Sequence, residues 1–125
     1  MTITLMLGQL ADSAEALSRL AALKLKSRIA LRVKRVLRAA QPELEEFNKA
    51  RTPIAEQYGH KSADGLRYEF DTPESAQSFA DEIADVRREE IMLEASTLAL
   101  DELGEAEISG GDLLALDWLI LEEDG

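Results

Sequence analysis

The sequence predicts one helix-rich α+β domain over residues 1–125, with a small two- or three-stranded sheet and a long basic helix. Apolar residues make up 46% of the chain, as in folded globular domains, but aromatic residues make up only 5%. Leucine, alanine, isoleucine and valine must therefore fill the core, a composition that favours packed helices. In the first half of the chain apolar residues recur at helical spacing, whereas shorter alternating runs predict strands.

Three segments carry strand signals. Residues 2–7 (TITLML) alternate along a β-branched and apolar run at the start of the chain. Residues 66–70 (LRYEF) follow Asp64 and Gly65, a pair of residues that is typical of tight turns. Residues 91–100 (IMLEASTLAL) also alternate, but the helix before them could equally continue, so strand and helix both remain open there.

A long helical region is predicted from an N-cap at Asp12 or Ser13 to Gly59. Its apolar stripe has spacings of three and four residues and consists of Ala22, Leu25, Ile29, Val33, Val36 and Ala40. Because proline has no N–H and disfavours helix in the residue before it, we expect the first helix to end near Ala40. A second helix then begins at Pro42 and ends at Gly59, which we expect to be left-handed.

Two further helices are predicted in the second half of the chain. Thr72 is a suitable N-cap, and the proline that follows it fits the first helical position. Ser109 or Asp112 can cap a last helix over residues 112–121. Most sides of this last helix are apolar, and it carries Trp118 and Leu119, so it must be buried in the core or against another molecule.

The net charge of −11 is unevenly distributed along the chain. Residues 1–61 carry 11 Lys or Arg against 6 Asp or Glu, a net charge of +5, whereas residues 62–125 carry 3 against 19, a net charge of −16. Two interpretations stay open. In the first, the two halves neutralise each other in the fold; in the second, the asymmetry marks a polar interaction surface.

The basic charges concentrate in one predicted helix, where no acidic residue occurs between Ala16 and Pro42. Arg28, Arg32 and Arg35 are the candidate binding residues of this segment. Such a helix could neutralise phosphates, but it has no interleaved aromatic residues to stack on bases, and the whole chain would repel nucleic acid. An acidic protein surface, on a partner or on another copy of this chain, is therefore the favoured target.

Two carboxylate pairs suggest an alternative, a Mg²⁺ site formed by Glu43 and Glu46 together with Glu82 and Asp85. Carboxylates three residues apart share one face of a helix, and Mg²⁺ prefers oxygen ligands. The segment FADEIADV that contains the second pair resembles the second metal motif of the MazG-like nucleotide pyrophosphohydrolases. That resemblance implies Mg²⁺-dependent hydrolysis of nucleotides, although a turn and a strand separate the two pairs here.

Other catalytic chemistry finds little support in the sequence. There is no cysteine, and His60 is the one histidine, predicted in a turn without a nucleophile near it in the chain. We therefore expect a protein without cofactor and without enzymatic activity. No secretory leader or membrane span is recognisable, so we expect a cytoplasmic protein without membrane contact.

The layout of the whole chain resembles a group of small bacteriophage proteins. The resemblance rests on the opening pattern of Ile3, Leu5, Gly8 and Leu10, the basic helix, and then Phe47, Arg51, Tyr58 and Gly59; it ends with Ser109, Asp112, Leu113, Leu116, Leu119 and Ile120. It implies a phage or prophage origin, in the cytoplasm of an infected bacterial host or in the virion. We therefore expect a non-catalytic, oligomeric interaction protein, either a virion or assembly component or a binder of a host protein.

Overall fold

A computed structural model describes residues 1–122 of the chain; the acidic residues 123–125, for which the sequence predicts a frayed tail, lie outside the described part. The helices are α1 (Leu7–Asp12), α2 (Ala14–Ala22), α3 (Ser27–Tyr58), α4 (Pro73–Arg87), a 3₁₀-helix (Leu100–Leu103) and α5 (Gly110–Ala115). The strands are β1 (Ile3–Met6), β2 (His60–Lys61), β3 (Tyr68–Glu69), β4 (Glu90–Leu93), β5 (Leu98–Ala99) and β6 (Ile120–Leu121). The predicted helix-rich α+β class is confirmed.

Within residues 1–122 the strands form three separate two-stranded sheets. β1 pairs antiparallel with β4, so that Ile3 lies opposite Leu93 and Leu5 opposite Ile91 on the buried side. β2 and β3 form an antiparallel hairpin across the turn at Gly65, where a φ of 72° suits glycine. β5 and β6 pair in parallel. The β1–β4 sheet contributes four buried side chains to the core, those of Ile3, Leu5, Ile91 and Leu93.

The core lies where the first half of α3 meets α1, α2, the β1–β4 sheet and the C-terminal segment. Its most completely buried side chains are Leu10, Leu17, Val36, Leu93, Leu98, Leu116 and Leu119. The second half of α3 packs against α4, which has no fully buried residue. The hydrophobic core is therefore concentrated at the N-terminal half of α3.

The predicted break at Pro42 is wrong, because α3 runs without interruption for 32 residues. Proline costs a helix its N–H bond to the carbonyl four residues earlier. Pro42 is exposed, however, and the apolar stripe that contains Val36 and Ala40 continues beyond it to Phe47, which is buried. Burial on both sides of the proline outweighs its local preference, as tertiary packing often does.

Gly59 ends α3 as predicted, but in an extended conformation rather than the expected left-handed one, with φ −143° and ψ −168°. Its role is steric. A Cβ atom at this position would lie 2.6 Å from the carbonyl oxygen of Glu69 and 2.9 Å from the ring of Phe70. Glycine therefore allows β3 to approach the end of the long helix.

The C-terminal segment differs from the predicted helix over residues 112–121. Ser109 caps a shorter helix, since its hydroxyl accepts a hydrogen bond from the N–H of Asp112 at 3.1 Å. The chain then turns and becomes β6, because the carbonyl of Leu119 accepts from the N–H of Leu98 at 2.8 Å. The segment 91–100, left open by the sequence, forms β4 and β5 with a bend between them.

Trp118 links the C-terminal segment to the junction between α1 and α2 through a hydrogen bond. Its indole N–H donates to the hydroxyl of Ser13 at 3.1 Å, while that hydroxyl donates to the carbonyls of Gln9 and Leu10. Ser13 is completely buried and Trp118 is partly buried. The hydroxyl therefore closes the junction between α1 and α2 and holds the indole against it.

We expect Pro42→Ala to stabilise the protein by about 1–2 kcal/mol. The substitution restores a helical N–H and removes the ring clash, while the unfolded chain gains some freedom in return. Urea unfolding followed by the fluorescence of the single tryptophan measures the change. Pro73→Ala is the matched control, since this proline lies in the first turn of α4 and its replacement should change the midpoint little. Equal effects of both variants would contradict a continuous α3.

We expect Ser13→Ala to destabilise the protein by about 1 kcal/mol, because the indole N–H of Trp118 loses its acceptor. Ser18→Ala on the exposed side of α2 is the control and should leave stability nearly unchanged. Urea unfolding of both variants, with the emission maximum of the folded state as a second readout, tests the expectation. An unaltered unfolding midpoint in Ser13→Ala would show that this hydrogen bond does not contribute to the free energy of unfolding.

Candidate protein-binding surface

The outer side of α3 presents a basic face made of Arg28, Lys34, Arg35 and Arg38, which surround Leu31. All five side chains are exposed, and Leu31 retains 44% of its accessible surface. Helical geometry places them opposite the buried stripe, since that stripe contains Ile29, Val33, Val36 and Ala40. From Arg28 to Arg38 the basic face extends about 15 Å along the helix.

The basic face lacks acidic neighbours within α3, because the first acidic residue of this helix is Glu43. Lys34, Arg35 and Arg38 form no ion pair with any residue in the range 1–122. A rigid helix thus holds a row of positive charges in water, at the position where an acidic surface could meet them without desolvating a buried charge.

Arg32 does not belong to this face, which corrects its place among the predicted binding residues. Its guanidinium donates to Glu102 at 2.6 Å and also to the backbone carbonyl of Thr97. The residue directly precedes the buried Val33, so it lies on the flank of α3 that faces the rest of the fold. Arg32 attaches the long helix to the segment after β4 and is structural in this arrangement.

Two more arginines are held by acids from the other half of the chain. Arg19 forms a bidentate pair with Asp112, in which Nε donates to Oδ2 at 2.8 Å and Nη2 to Oδ1 at 2.7 Å. Arg87 pairs with Asp12 at 2.7 Å. Neutralisation between the two halves of the chain is therefore real but partial, and it leaves Lys34, Arg35 and Arg38 without an ion pair among residues 1–122.

These contacts shift the titration of the carboxylates involved. The N–H of Ala99 and the guanidinium of Arg32 lower the pKa of Glu102 below its usual range. The Arg19 guanidinium lowers the pKa of Asp112 in the same way, and Arg87 lowers the pKa of Asp12. In each case hydrogen bonding to the charged form is the leading cause.

The predicted Mg²⁺ site does not form. Among the described residues no three acidic or histidine side chains come close enough to share a metal ion. Glu82 instead accepts a hydrogen bond from the hydroxyl of Tyr58, which raises the pKa of that phenol, and Asp85 pairs with Arg88 at 3.1 Å. Glu43 and Glu46 lie on α3 without joining them. The geometry required for the hydrolase alternative is therefore missing from residues 1–122.

The other predicted contact residues take part in the fold itself. Leu119 has no accessible surface, and Trp118 is partly buried against Ser13. Of the two alternatives for this segment, its burial in the protein's own core is the one the structure favours. Lys34 and Arg38, which the candidate set did not include, could have been found from the sequence, because they lie three and seven residues from Leu31 on one side of the helix.

No protein-family model, curated protein or solved structure matches this chain. Within residues 1–122 no helix is both long and apolar enough to cross a membrane. Any assignment of function therefore depends on the surfaces and side chains described above.

We expect acid to destabilise the protein partly through Glu102. A carboxyl group whose pKa is lower in the folded state stabilises that state at neutral pH, and this stabilisation is lost as the pH falls below about 4. Glu102→Gln should therefore show a smaller loss of unfolding midpoint between pH 7 and pH 3 than the unmodified protein. Glu105→Gln, whose carboxylate has no ion pair within the described residues, is the control. Identical pH profiles for all three proteins would exclude this role.

Proposed function

We propose that this protein is a non-catalytic interaction protein whose basic face on α3 docks on an acidic surface of a protein partner. The observation that carries the proposal is the row of exposed cations at Arg28, Lys34, Arg35 and Arg38, without acidic neighbours on the same helix. The burial of the opposite side of α3 supports it, since a fixed helix loses little conformational freedom on binding.

A protein partner fits this face better than nucleic acid. The face has an exposed leucine at its centre and no aromatic side chain on which a base could stack. The net charge of −11 also opposes the approach of a nucleic acid at long range. A protein that presents carboxylates around an apolar spot satisfies both the arginines and Leu31.

The resemblance to small bacteriophage proteins supports a setting for this role. In that setting the partner is a host protein or a component of the virion or its assembly, and the acidic half of another copy of this chain is a further source of carboxylates. Native mass spectrometry of the purified protein separates these cases, since a defined homo-oligomer favours self-assembly and a monomer favours a different partner.

We expect the triple variant Lys34→Ala, Arg35→Ala and Arg38→Ala to bind a fluorescent deca-glutamate peptide about tenfold more weakly than the unmodified protein. Three exposed charge contacts, each contributing a few tenths to one kcal/mol, account for this factor. The matched control replaces Lys49, Lys61 and Arg67 with alanine, which changes the net charge equally at exposed positions elsewhere. Fluorescence anisotropy at 50 and 150 mM salt measures both.

Equal weakening in the two triple variants would contradict docking at the basic face, because it would reduce the effect to net charge. A duplex DNA of 20 base pairs serves as a second probe. Tighter binding of this DNA than of the peptide, lost in the triple variant at the basic face, would support the nucleic-acid alternative instead.

A further inference from the structure

A groove of about 910 Å³ lies between residues 23–29 and residues 101–107. It continues into a second cavity of about 490 Å³, since Leu23 and Glu107 line both. The Arg19–Asp112 pair lines this second cavity, and Glu102, the partner of Arg32, lines the first. We call the combined feature the linker groove, because one wall is the linker between α2 and α3.

Exposure alternates along both walls of the linker groove, but only the first wall is extended chain. Leu23 has φ −72° and ψ 149° and Lys26 has φ −57° and ψ 142°, whereas Glu105 lies in a turn that follows the 3₁₀-helix. In residues 23–26 (LKLK) the two leucines are partly buried against the core, and the two lysines are exposed. In residues 105–108 (EAEI) the glutamates are exposed, whereas Ala106 and Ile108 are partly buried. A period of two is the side-chain pattern of a β-strand, although neither segment belongs to a sheet.

The backbone of these walls has free hydrogen-bonding groups. The N–H groups of Lys24, Leu25 and Lys26 form no hydrogen bond with any residue in the range 1–122, and the same holds for those of Glu107 and Ile108. The carbonyls of Leu23, Lys24 and Leu25 likewise accept none within this range. Residues 23–26 thus form a strand-like edge without a neighbouring strand, and the opposite wall adds the free amides of Glu107 and Ile108.

The charges of the two walls are opposite. Lys24, Lys26 and Arg28 line one side, and the other side is lined by Asp101, Glu102, Glu105 and Glu107. Among the described residues no salt bridge joins these two sets, and Glu102 is paired with Arg32 of α3 instead. A strand lying between the walls would have a cation on one edge and a carboxylate on the other.

We propose that the linker groove binds an extended peptide segment of a partner protein by strand addition. Main-chain hydrogen bonds to the free amides and carbonyls of the walls supply affinity, and pockets for alternate side chains supply specificity. The matching peptide has apolar residues at every second position, which lie on the partly buried leucines, Ala106 and Ile108. The positions between these apolar residues are alternately acidic and basic. The acidic residues pair with the lysines of one wall, and the basic residues pair with the glutamates of the other.

The peptide in the linker groove is a different ligand from the acidic surface that docks on the basic face. The two binding events differ in their salt dependence. The basic face carries charges of one sign, so its affinity falls steeply with salt. In the linker groove three cations lie opposite four carboxylates, and the chemistry is mainly main-chain and apolar, so we expect the affinity to change less than threefold between 50 and 150 mM salt.

The experiment uses the full chain and the labelled peptide TVEVKVT, with N-methylated versions of the same peptide as probes of main-chain pairing. N-methyl groups at every second residue block one edge of a strand without changing its side chains. Anisotropy gives the affinity, and hydrogen exchange gives the protection of individual amides. We expect at least tenfold slower exchange at the amides of residues 24–26 or 107–108 on binding, and at least tenfold weaker binding of one N-methylated version.

Two variants make the result specific. The double variant Lys24→Glu and Lys26→Glu should bind the peptide more weakly than the unmodified protein. The triple alanine variant of Lys34, Arg35 and Arg38 should bind the peptide with unchanged affinity, even if it no longer binds deca-glutamate. Absence of peptide binding, equal affinity of all N-methylated versions, or binding without protection at the groove amides would each overturn strand addition. None of these results would bear on the basic face, whose binding is read with the other probe.

Discussion

The fold depends on one continuous apolar stripe along α3. Val33, Val36 and Ala40 are buried before Pro42, and Phe47 is buried after it. The helix must therefore continue through the proline to keep this side packed in the core. That requirement outweighs the local cost of Pro42. It also fixes what remains outside. Because the stripe faces inward, the arginines and the lysine on the opposite side have no alternative to exposure.

Charge in this protein has two separate roles. Arg19, Arg32 and Arg87 each bind an acid that lies far away in the sequence, and these contacts connect the basic first half of the chain to the acidic second half. The remaining cations of α3 lie on the wrong side of the helix for such pairing. A chain with a strongly negative net charge thus keeps a local positive surface, and the proposed docking on an acidic partner depends on it.

The sequence predicts the fold class and several helix ends, since these follow from local chemistry. Thr72 and Ser109 cap helices as expected because their hydroxyls accept from amides three residues on. Features set by distant residues were not predictable in this way. The break predicted at Pro42 is wrong because tertiary packing continues the helix, and β5 and β6 have two residues each, too few for a periodic signal.

The candidate surface shows the same limit. A basic helix could be recognised from composition and spacing, yet Arg32 and Arg35 look alike in the sequence. The acid that holds Arg32 lies 70 residues further along the chain, and nothing local identifies it. The carboxylate pairs have the right local spacing, but whether two pairs converge depends on how α3 packs against α4, which the local sequence does not determine. In the described residues they do not converge, and Glu82 instead binds Tyr58, 24 residues earlier in the chain.

The bond between Trp118 and Ser13 has a consequence for how the protein is made. It joins residues 105 positions apart, and Leu116 and Leu119 fill the core beside it. During translation, at about 5–20 residues per second, the first strand and helices therefore wait on the order of ten seconds for the segment that completes their core. Through that interval the inner side of α3 lacks the side chains of Leu116 and Leu119, so the core cannot be complete before this segment has been synthesised.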